Sequence, residues 1–435
     1  MNDKNNSKIN WLNIIFNKEF QNYLNLDILK EISLVSKLVR IKLNPKLFYA
    51  IKIEEDNKYI KGLLENYYIN DELSEEARPL SPNVEELHKG LYIDRLISNI
   101  KSELENIKRF VSSIYFKRLN HIAYYLFPLL ESFDNLTTLK LYDCTFPYST
   151  FVNLGVSFFK LRCVELYGVT LVKLPGDTAH LDSFNIPPDL RYLTISIVEV
   201  NEPGALFNPY DMLFNELDST NNYRFALPKV EVPSLKKLNF IGDYDEENDL
   251  EDFLDINSKL ESLAIGNLYL DKAYNFKSLK NLEVGYVDCF DNEINFTTQE
   301  GIKELTVVID YEDDYENVAK LCKLCPNLEK LYFRILNSVS IQNTFYNFLI
   351  PVLSKLPNVK TLRLKLHTNE SDILNINKFP HIENIIFEID EPYILNIKFH
   401  KCKSLKTMEV KSDWFELYDD EFLDELSDLH KKYKN

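Results

Sequence analysis

From residue 136 onward one short phrase recurs: a leucine-like residue, two others, a second apolar residue, one other, a third apolar residue. It reads LTTLKL at 136–141, LRCVEL at 161–166, LRYLTI at 190–195, LKKLNF at 235–240, LESLAI at 260–265 and LKNLEV at 279–284. It continues as IKELTV at 302–307, LEKLYF at 328–333, VKTLRL at 359–364, IENIIF at 382–387 and LKTMEV at 405–410. Successive starts lie 25 residues apart from 136 to 161 and from 235 to 260, 26 from 302 to 328 and 23 from 382 to 405, with one interval of 45 from 190 to 235. The second half of each phrase alternates apolar and polar, the period of a strand with one buried face. One such unit cannot bury that face, but copies laid side by side share a continuous core. Eleven strands at ~4.8 Å spacing predict a parallel sheet on the order of 50 Å long.

The segments NVAKLCKLCPNL and FLIPVLSKLPNV precede two of the phrases and read as helices that return the chain. Pro188, Pro233, Pro326, Pro357 and Pro380 stand just before phrases, where a residue that cannot continue a helix belongs. The pattern resembles the leucine-rich-repeat family in its irregular, ribonuclease-inhibitor-like form. That resemblance implies an α/β solenoid with a parallel concave sheet and a helical convex side over residues 136–410.

The flanks read differently. Residues 1–10 are a polar tail, and 71–90 (DELSEEARPLSPNVEELHKG) reads as a loop within a 52–135 linker. Residues 91–133 read as helices that cap the first repeat, and 411–435 as an amphipathic helix sealing the other end with Phe422, Leu423, Leu426 and Leu429. Residues 11–51 read as a small module of three short helices. Phe16, Phe20 and Leu24 recur at four-residue steps; Ile28, Ile32, Val35 and Val39 form a second stripe; Asn44-Pro45 interrupts before Leu47, Phe48 and Ile51. About 40 residues of short helices cannot bury this much apolar surface among themselves.

The module resembles the F-box. Glu19 matches its opening acid, Leu24 and Asp27 its turn, Val35-Ser36-Lys37 and Arg40 its third element, and Pro45, Leu47 and Phe48 its ending. Asn17 stands where the family has an opening proline, and Val39 where it has tryptophan. The resemblance implies a non-catalytic substrate receptor of a cullin–RING ubiquitin ligase. Phe16, Phe20, Leu24, Leu29, Val35, Pro45 and Leu47 would dock a Skp-type adaptor, and the repeats would hold a protein substrate. Two alternatives stand beside it: 11–51 is an N-terminal helical cap, and the array is an interaction scaffold without a ligase.

Composition narrows the function classes. With 50 Lys and Arg against 67 Asp and Glu, the net charge is −17, which disfavours binding to nucleic acid. No uncharged apolar run reaches the ~18 residues of a membrane span, no signal peptide is evident, and six scattered cysteines suit a reducing compartment, cytosol or nucleus. No phosphate loop, nucleophile elbow or His-Glu-x-x-His motif is present, so no catalytic role and no cofactor is expected. Cys322 and Cys325 have Cys-x-x-Cys spacing without the second pair a structural zinc needs, and read, like His400 and Cys402, as packing residues rather than redox or metal groups. The acidic runs 243–255, 310–316 and 419–425 lack the EF-hand pattern and read as solvated surface.

Strand alternation places Lys330, Tyr332 and Arg334 outward in one repeat and Thr361, Arg363 and Lys365 in the next. That predicts a basic patch suited to a carboxylate or phosphate partner, unless Asp310 and Glu388 neutralise it from the flanking repeats. Tyr142 and Tyr167 face outward together elsewhere, as interface anchors often do.

Overall fold

The computed structural model describes residues 11–58, 60–61, 82–179, 184–204, 221–242, 250–274, 276–289, 295–336, 340–366, 373–379, 381–389, 396–398 and 404–411. The expected tail (1–10), residues 71–81 of the expected loop, and the expected C-terminal helix beyond Lys411 lie outside them, as do His400 and Cys402. Chain packing divides into two units, Met1–Ser234 and Leu235–Asn435.

The first unit opens with four short helices, one more than expected: α1 (Trp11–Ile15), α2 (Lys18–Asn22), α3 (Leu26–Leu34) and α4 (Lys37–Leu47). A parallel sheet follows in chain order: β1 (Ala50–Glu54), β2 (Ser113–Asn120), β3 (Thr138–Pro147), β4 (Cys163–Val172) and β5 (Tyr192–Asn201). A short strand, β6 (Asn222–Arg224), pairs antiparallel with β5 and occupies part of the long 190-to-235 interval. Helices α5 (Pro82–Leu104) and α6 (Ile122–Leu130) connect early strands.

Two further expectations change here. Residues 113–120, read as helix, form β2, and residues 82–90, read as loop, belong to α5. The reason is visible in hindsight: VSSIYF (111–116) and FYAIKI (48–53) each carry the same phrase, with apolar residues at its first, fourth and sixth positions. The neighbouring helical periodicity masked both copies.

The second unit continues the pattern with β7 (Lys237–Ile241), β8 (Ser262–Tyr269), β9 (Asn281–Asp288), β10 (Glu304–Ile309), β11 (Lys330–Ile335) and β12 (Thr361–Leu366). After a separate two-stranded pair, β13 (Ile373–Asn375) with β15 (Asn396–Lys398), the main sheet is completed by β14 (Asn384–Ile389) and β16 (Thr407–Lys411). Every one of the eleven phrases falls on a strand. The fourth position stays in register throughout this unit: Leu238, Leu263, Leu282, Leu305, Leu331, Leu362, Ile385 and Met408 are successive partners. Both expected helices form, over Asp314–Leu324 and over the continuous run Ile341–Ser354, whose middle turn is π-wound.

The phrase's second residue explains why register is kept so strictly. Its carbonyl accepts two amides from the next repeat. Lys303 O accepts from the nitrogens of Glu329 (2.8 Å) and Lys330 (3.0 Å), Glu329 O from Lys360 and Thr361, Lys360 O from Glu383 and Asn384. Both lone pairs of one carbonyl are used in each step, so a one-residue slip would orphan two donors and turn the apolar face outward. The side chains at the same position add ion pairs across strands: Lys236–Glu261 (2.7 Å), Lys280–Glu261 (3.1 Å), Lys303–Glu329 (2.6 Å), Lys360–Glu383 (3.1 Å) and Lys406–Glu383 (2.5 Å). Each lies at the surface and adds little alone, but together they favour the correct neighbour.

In the first unit the strands turn a corner one residue past the phrase's following position. Arg118, Asp143, Gly168 and Ile197 stand there with φ of 53°, 51°, 58° and 53°. A Cβ on Gly168 would meet Asp143 Oδ1 at 2.7 Å. Left-handed backbone is least natural for a β-branched residue, so Ile197 carries the most strain of the four.

Candidate functional site

Three side-chain caps cut the N-terminal stretch. Asn17 Oδ1 accepts from the amides of Glu19 (2.8 Å) and Phe20 (3.3 Å), Asn25 Oδ1 from Ile28 (2.9 Å), and Ser36 Oγ from Val39 (3.2 Å). The residue at the expected proline position is therefore the N-cap of α2. Ser36 ends the single stripe expected over 28–39 and starts a new helix. Pro45 does not break α4: it lies in the last turn, where the chain is about to leave the helix, and Phe48 N still reaches Asn44 O at 2.9 Å.

The cuts rotate the apolar faces. Leu29, Val39 and Leu43 form the module's core, with Ile15, Phe16, Leu24, Ile32 and Leu47 packed on it. Of the seven candidate docking residues, Leu29 is only 2% exposed and Phe16, Leu24 and Leu47 pack around it, whereas Phe20, Val35 and Pro45 face solvent. The exposed surface is built mainly from other residues: Trp11, Leu12, Tyr23, Leu26, Ile28, Leu34, Leu38, Ile41 and Tyr49. Leu34 and Val35 are 70% and 75% exposed, and Leu38 and Ile41 sit on the side of α4 opposite Val39 and Leu43. Eleven of the twenty-two large exposed hydrophobics among the described residues fall between 11 and 49. Periodicity found the module but not which of its apolar residues stay exposed; the signal for that is Ser36, a capping residue inside what looked like one helix.

The second surface lies on the open face of the second unit's sheet. Tyr332 and Arg363 are register partners, and so are Arg334, Lys365, Glu388 and Lys411 in succession. These residues, with Glu283 and Ile389, line a cleft of about 350 Å³. The sequence brings its predicted cations together here, with one exception. Lys330 stands apart from this cleft, paired with Glu304.

Inside the cleft Glu388 is fully engaged: one carboxylate oxygen takes the Arg363 guanidinium, the other the Tyr332 hydroxyl at 2.8 Å. The Arg363 guanidinium carbon also lies 4.4 Å from the Tyr332 ring centre. Burial alone would raise the Glu388 pKa, but the Arg363 and Tyr332 hydrogen bonds outweigh it and hold it below the ordinary glutamate range. Tyr332 moves the other way, to about 12, through burial and then the Glu388 charge. The anticipated neutralisation by Glu388 thus occurs: Arg363 bonds it directly, and its register partner Lys365 feels the same charge without an ion pair. Asp310 is not among the residues lining the cleft.

In the first unit Tyr142 stacks on Tyr167 with ring centres 4.5 Å apart, and Tyr115, a residue the sequence reading passed over, meets Tyr142 edge-on at 4.9 Å. Lys140 bonds Glu165 at 2.8 Å, and the Tyr142 hydroxyl donates to the same carboxylate at 3.3 Å.

The remaining candidates resolve into packing. Cys322 and Cys325 are buried, and burial pushes both thiols up, Cys325 to about 12. Asp314, from the acidic run 310–316, turns inward and accepts from the amides of Asp310 and Tyr311, both at 2.9 Å. Among the described residues no group of three His, Cys, Asp or Glu is placed to hold a metal ion, and no helix is long and apolar enough to cross a membrane.

No family model matches the chain, and no curated protein matches it. A solved structure similar to it is the crystal structure of a TLR13–ssRNA13 complex, at 15% identity and a TM-score of 0.34 over 70% of this chain and 52% of that one. This chain thus spans about half the length of the chain it matches.

Proposed function

We propose that the protein is a non-catalytic interaction protein of leucine-rich-repeat type that bridges two partners. Its N-terminal helices dock an α-helical adaptor, and the open faces of its repeat sheets hold a second protein. The observation that carries the reading is the apolar skin on α1–α4. Their own core is complete with Leu29, Val39 and Leu43, yet Leu34, Val35, Leu38 and Ile41 remain in water. Large apolar side chains left exposed together on one short segment support an interaction site. The F-box resemblance of the same segment, which shares only Val35 with that surface, names the adaptor as Skp-type and the assembly as a cullin–RING ubiquitin ligase. An interaction scaffold without ligase association is the second reading, favoured by Asn17 and Val39 at the proline and tryptophan positions.

Size-exclusion chromatography of the full chain with a purified Skp-type adaptor decides between them. Co-elution, abolished by Leu34→Glu with Val35→Glu and unaffected by substitutions in the charged cleft, supports the ligase receptor. Separate elution leaves the scaffold reading.

A further inference from the structure

The cleft in the second unit holds a charge arrangement that the rest of the sheet avoids. At the phrase's second position each lysine in the series from Lys236 to Lys406 has a glutamate across a strand boundary. Arg334 and Lys365 break that rule. They are direct register partners on neighbouring parallel strands, like charges side by side, and among the described residues neither has a carboxylate within ion-pair distance. The carboxylate opposite Lys365 is Glu388, but its oxygens are turned to Arg363 and Tyr332, and Lys365 makes no ion pair with it. Like charges directly opposite destabilise a sheet, and no ion pair among the described residues offsets that cost at either cation. Lys411, next in the row after Glu388, adds a third cation whose contact with Glu409 is loose at 3.4 Å.

We infer that this cleft binds a phosphorylated side chain on an extended protein segment, with Arg334 and Lys365 as the phosphate ligands. The inference rests on the reading of the sheet as a protein-binding surface and names what the bound segment carries. Charge decides between the candidate anions. A carboxylate brings one negative charge and leaves one of the two cations unmatched, whereas a phosphate brings about −1.5 to −2 and three acceptor oxygens. The guanidinium fork of Arg334 suits two of those oxygens, and the Lys365 ammonium suits the third as a point charge. Arg363 has a different task. Held by Glu388 and against the Tyr332 ring, it forms a fixed floor that needs no reordering when the ligand arrives.

Glu283 bounds the cleft on β9, two strands from Arg334, and repels the anion toward the Arg334–Lys365–Lys411 side. Beyond Glu283 the open face is low. Gly266 and Gly285 are register neighbours of each other, and a Cβ on Gly285 would lie 2.6 Å from Gly266 O, so no side chain stands there. Ala264, Thr306 and Val308 keep the adjoining strands short as well. An extended backbone can therefore approach this side of the cleft closely while its phosphate reaches the cations.

The test uses the full chain and a pool of random-sequence peptides with a fixed central phosphoserine, alongside matched serine and glutamate pools, read by retention on the immobilised protein. The phosphoserine pool should be retained at least tenfold over both others. Arg334→Gln with Lys365→Gln should remove that difference, with an unchanged circular dichroism spectrum and a melting temperature that does not fall. Lys330→Gln, at the ion pair outside the cleft, should change nothing. Equal retention of the phosphoserine and glutamate pools would overturn the phosphate assignment in favour of a general acidic partner. Retention undiminished in the double variant, or none by the parent chain, would overturn the site. Adaptor binding through α1–α4 is measured separately, so either result can fail without the other.

Discussion

The N-terminal helices and the repeat sheets are similarly rich in apolar residues but spend them differently. Inside the sheets the phrase's apolar positions disappear: Leu331, Phe333, Leu362, Leu364, Ile385 and Phe387 are at most 1% exposed, and Met408 stays exposed on β16, the last strand. In α1–α4 three residues form the core and a larger number stay in water. The difference is one of geometry. A repeat strand has a neighbour on each side and covers its inner face by stacking, so every added copy buries the one before it. A four-helix piece of under 40 residues has little interior, and its remaining apolar surface has no copy to meet. Residues that look alike in the sequence are therefore buried in one region and exposed in the other.

The sharpest way to break that contrast is to truncate one residue of each kind. Phe333→Ala should cost about 3–5 kcal/mol, because it removes a fully buried ring that meets Phe348 edge-on at 5.1 Å and leaves a cavity. Leu34→Ala should stay within about 0.5 kcal/mol. Urea unfolding of the full chain, followed by fluorescence and circular dichroism together, checks both; a large loss for Leu34→Ala would place that residue in a core and remove the docking face.

Next in size is the close approach in the second unit. Gly285→Ala places a Cβ against a backbone oxygen that cannot swing away, and should destabilise by about 1–3 kcal/mol. A neutral result would show that β8 and β9 can separate there. A smaller effect of opposite sign is expected in the first unit. Ile197 is 60% exposed with a φ of 53°, so Ile197→Gly sacrifices little packing and relieves the left-handed strain. Set against the greater freedom of glycine in the unfolded chain, the net gain should be about 0.5–1 kcal/mol, visible as a rise in melting temperature.

What the sequence reveals follows the same division. The strands were legible because a two-residue period with leucine at fixed places has one stable interpretation, and all eleven phrases became strands. β1 and β2 were missed because their phrases use Phe, Val and Ile in place of leucine and adjoin helical periodicity. The cleft was half legible. Alternation placed Tyr332, Arg334, Arg363 and Lys365 on one face, but only the side-chain contacts show that Glu388, the register partner of Lys365, bonds Arg363. The exposed apolar face of α1–α4 was the least legible, since a helix shows its outer side only once its ends are known, and those ends rest on Asn17, Asn25 and Ser36.

The smallest expected effect concerns the charge pairing within the cleft, and its sign can be worked out. Glu388 is held below the ordinary glutamate pKa in the folded chain, so its contribution is complete above the unfolded value and disappears as the pH falls through the folded one. Loss of that carboxylate charge releases Arg363 from its salt bridge and leaves Tyr332 without its anionic acceptor. Glu388→Gln should therefore lower the melting temperature slightly at pH 7 and leave it nearly equal to the parent's at the acid end, so that the two curves converge on acidification. Parallel curves across the acid range would mean that the Glu388 carboxylate is not coupled to folding. The same substitution bears on the contrast between paired and unpaired cations: with the glutamate charge gone, Arg363 joins Arg334 and Lys365 as a third unmatched cation, so phosphopeptide retention should rise while stability falls. A fall in both would assign Glu388 to the ligand itself and not to the floor beneath it.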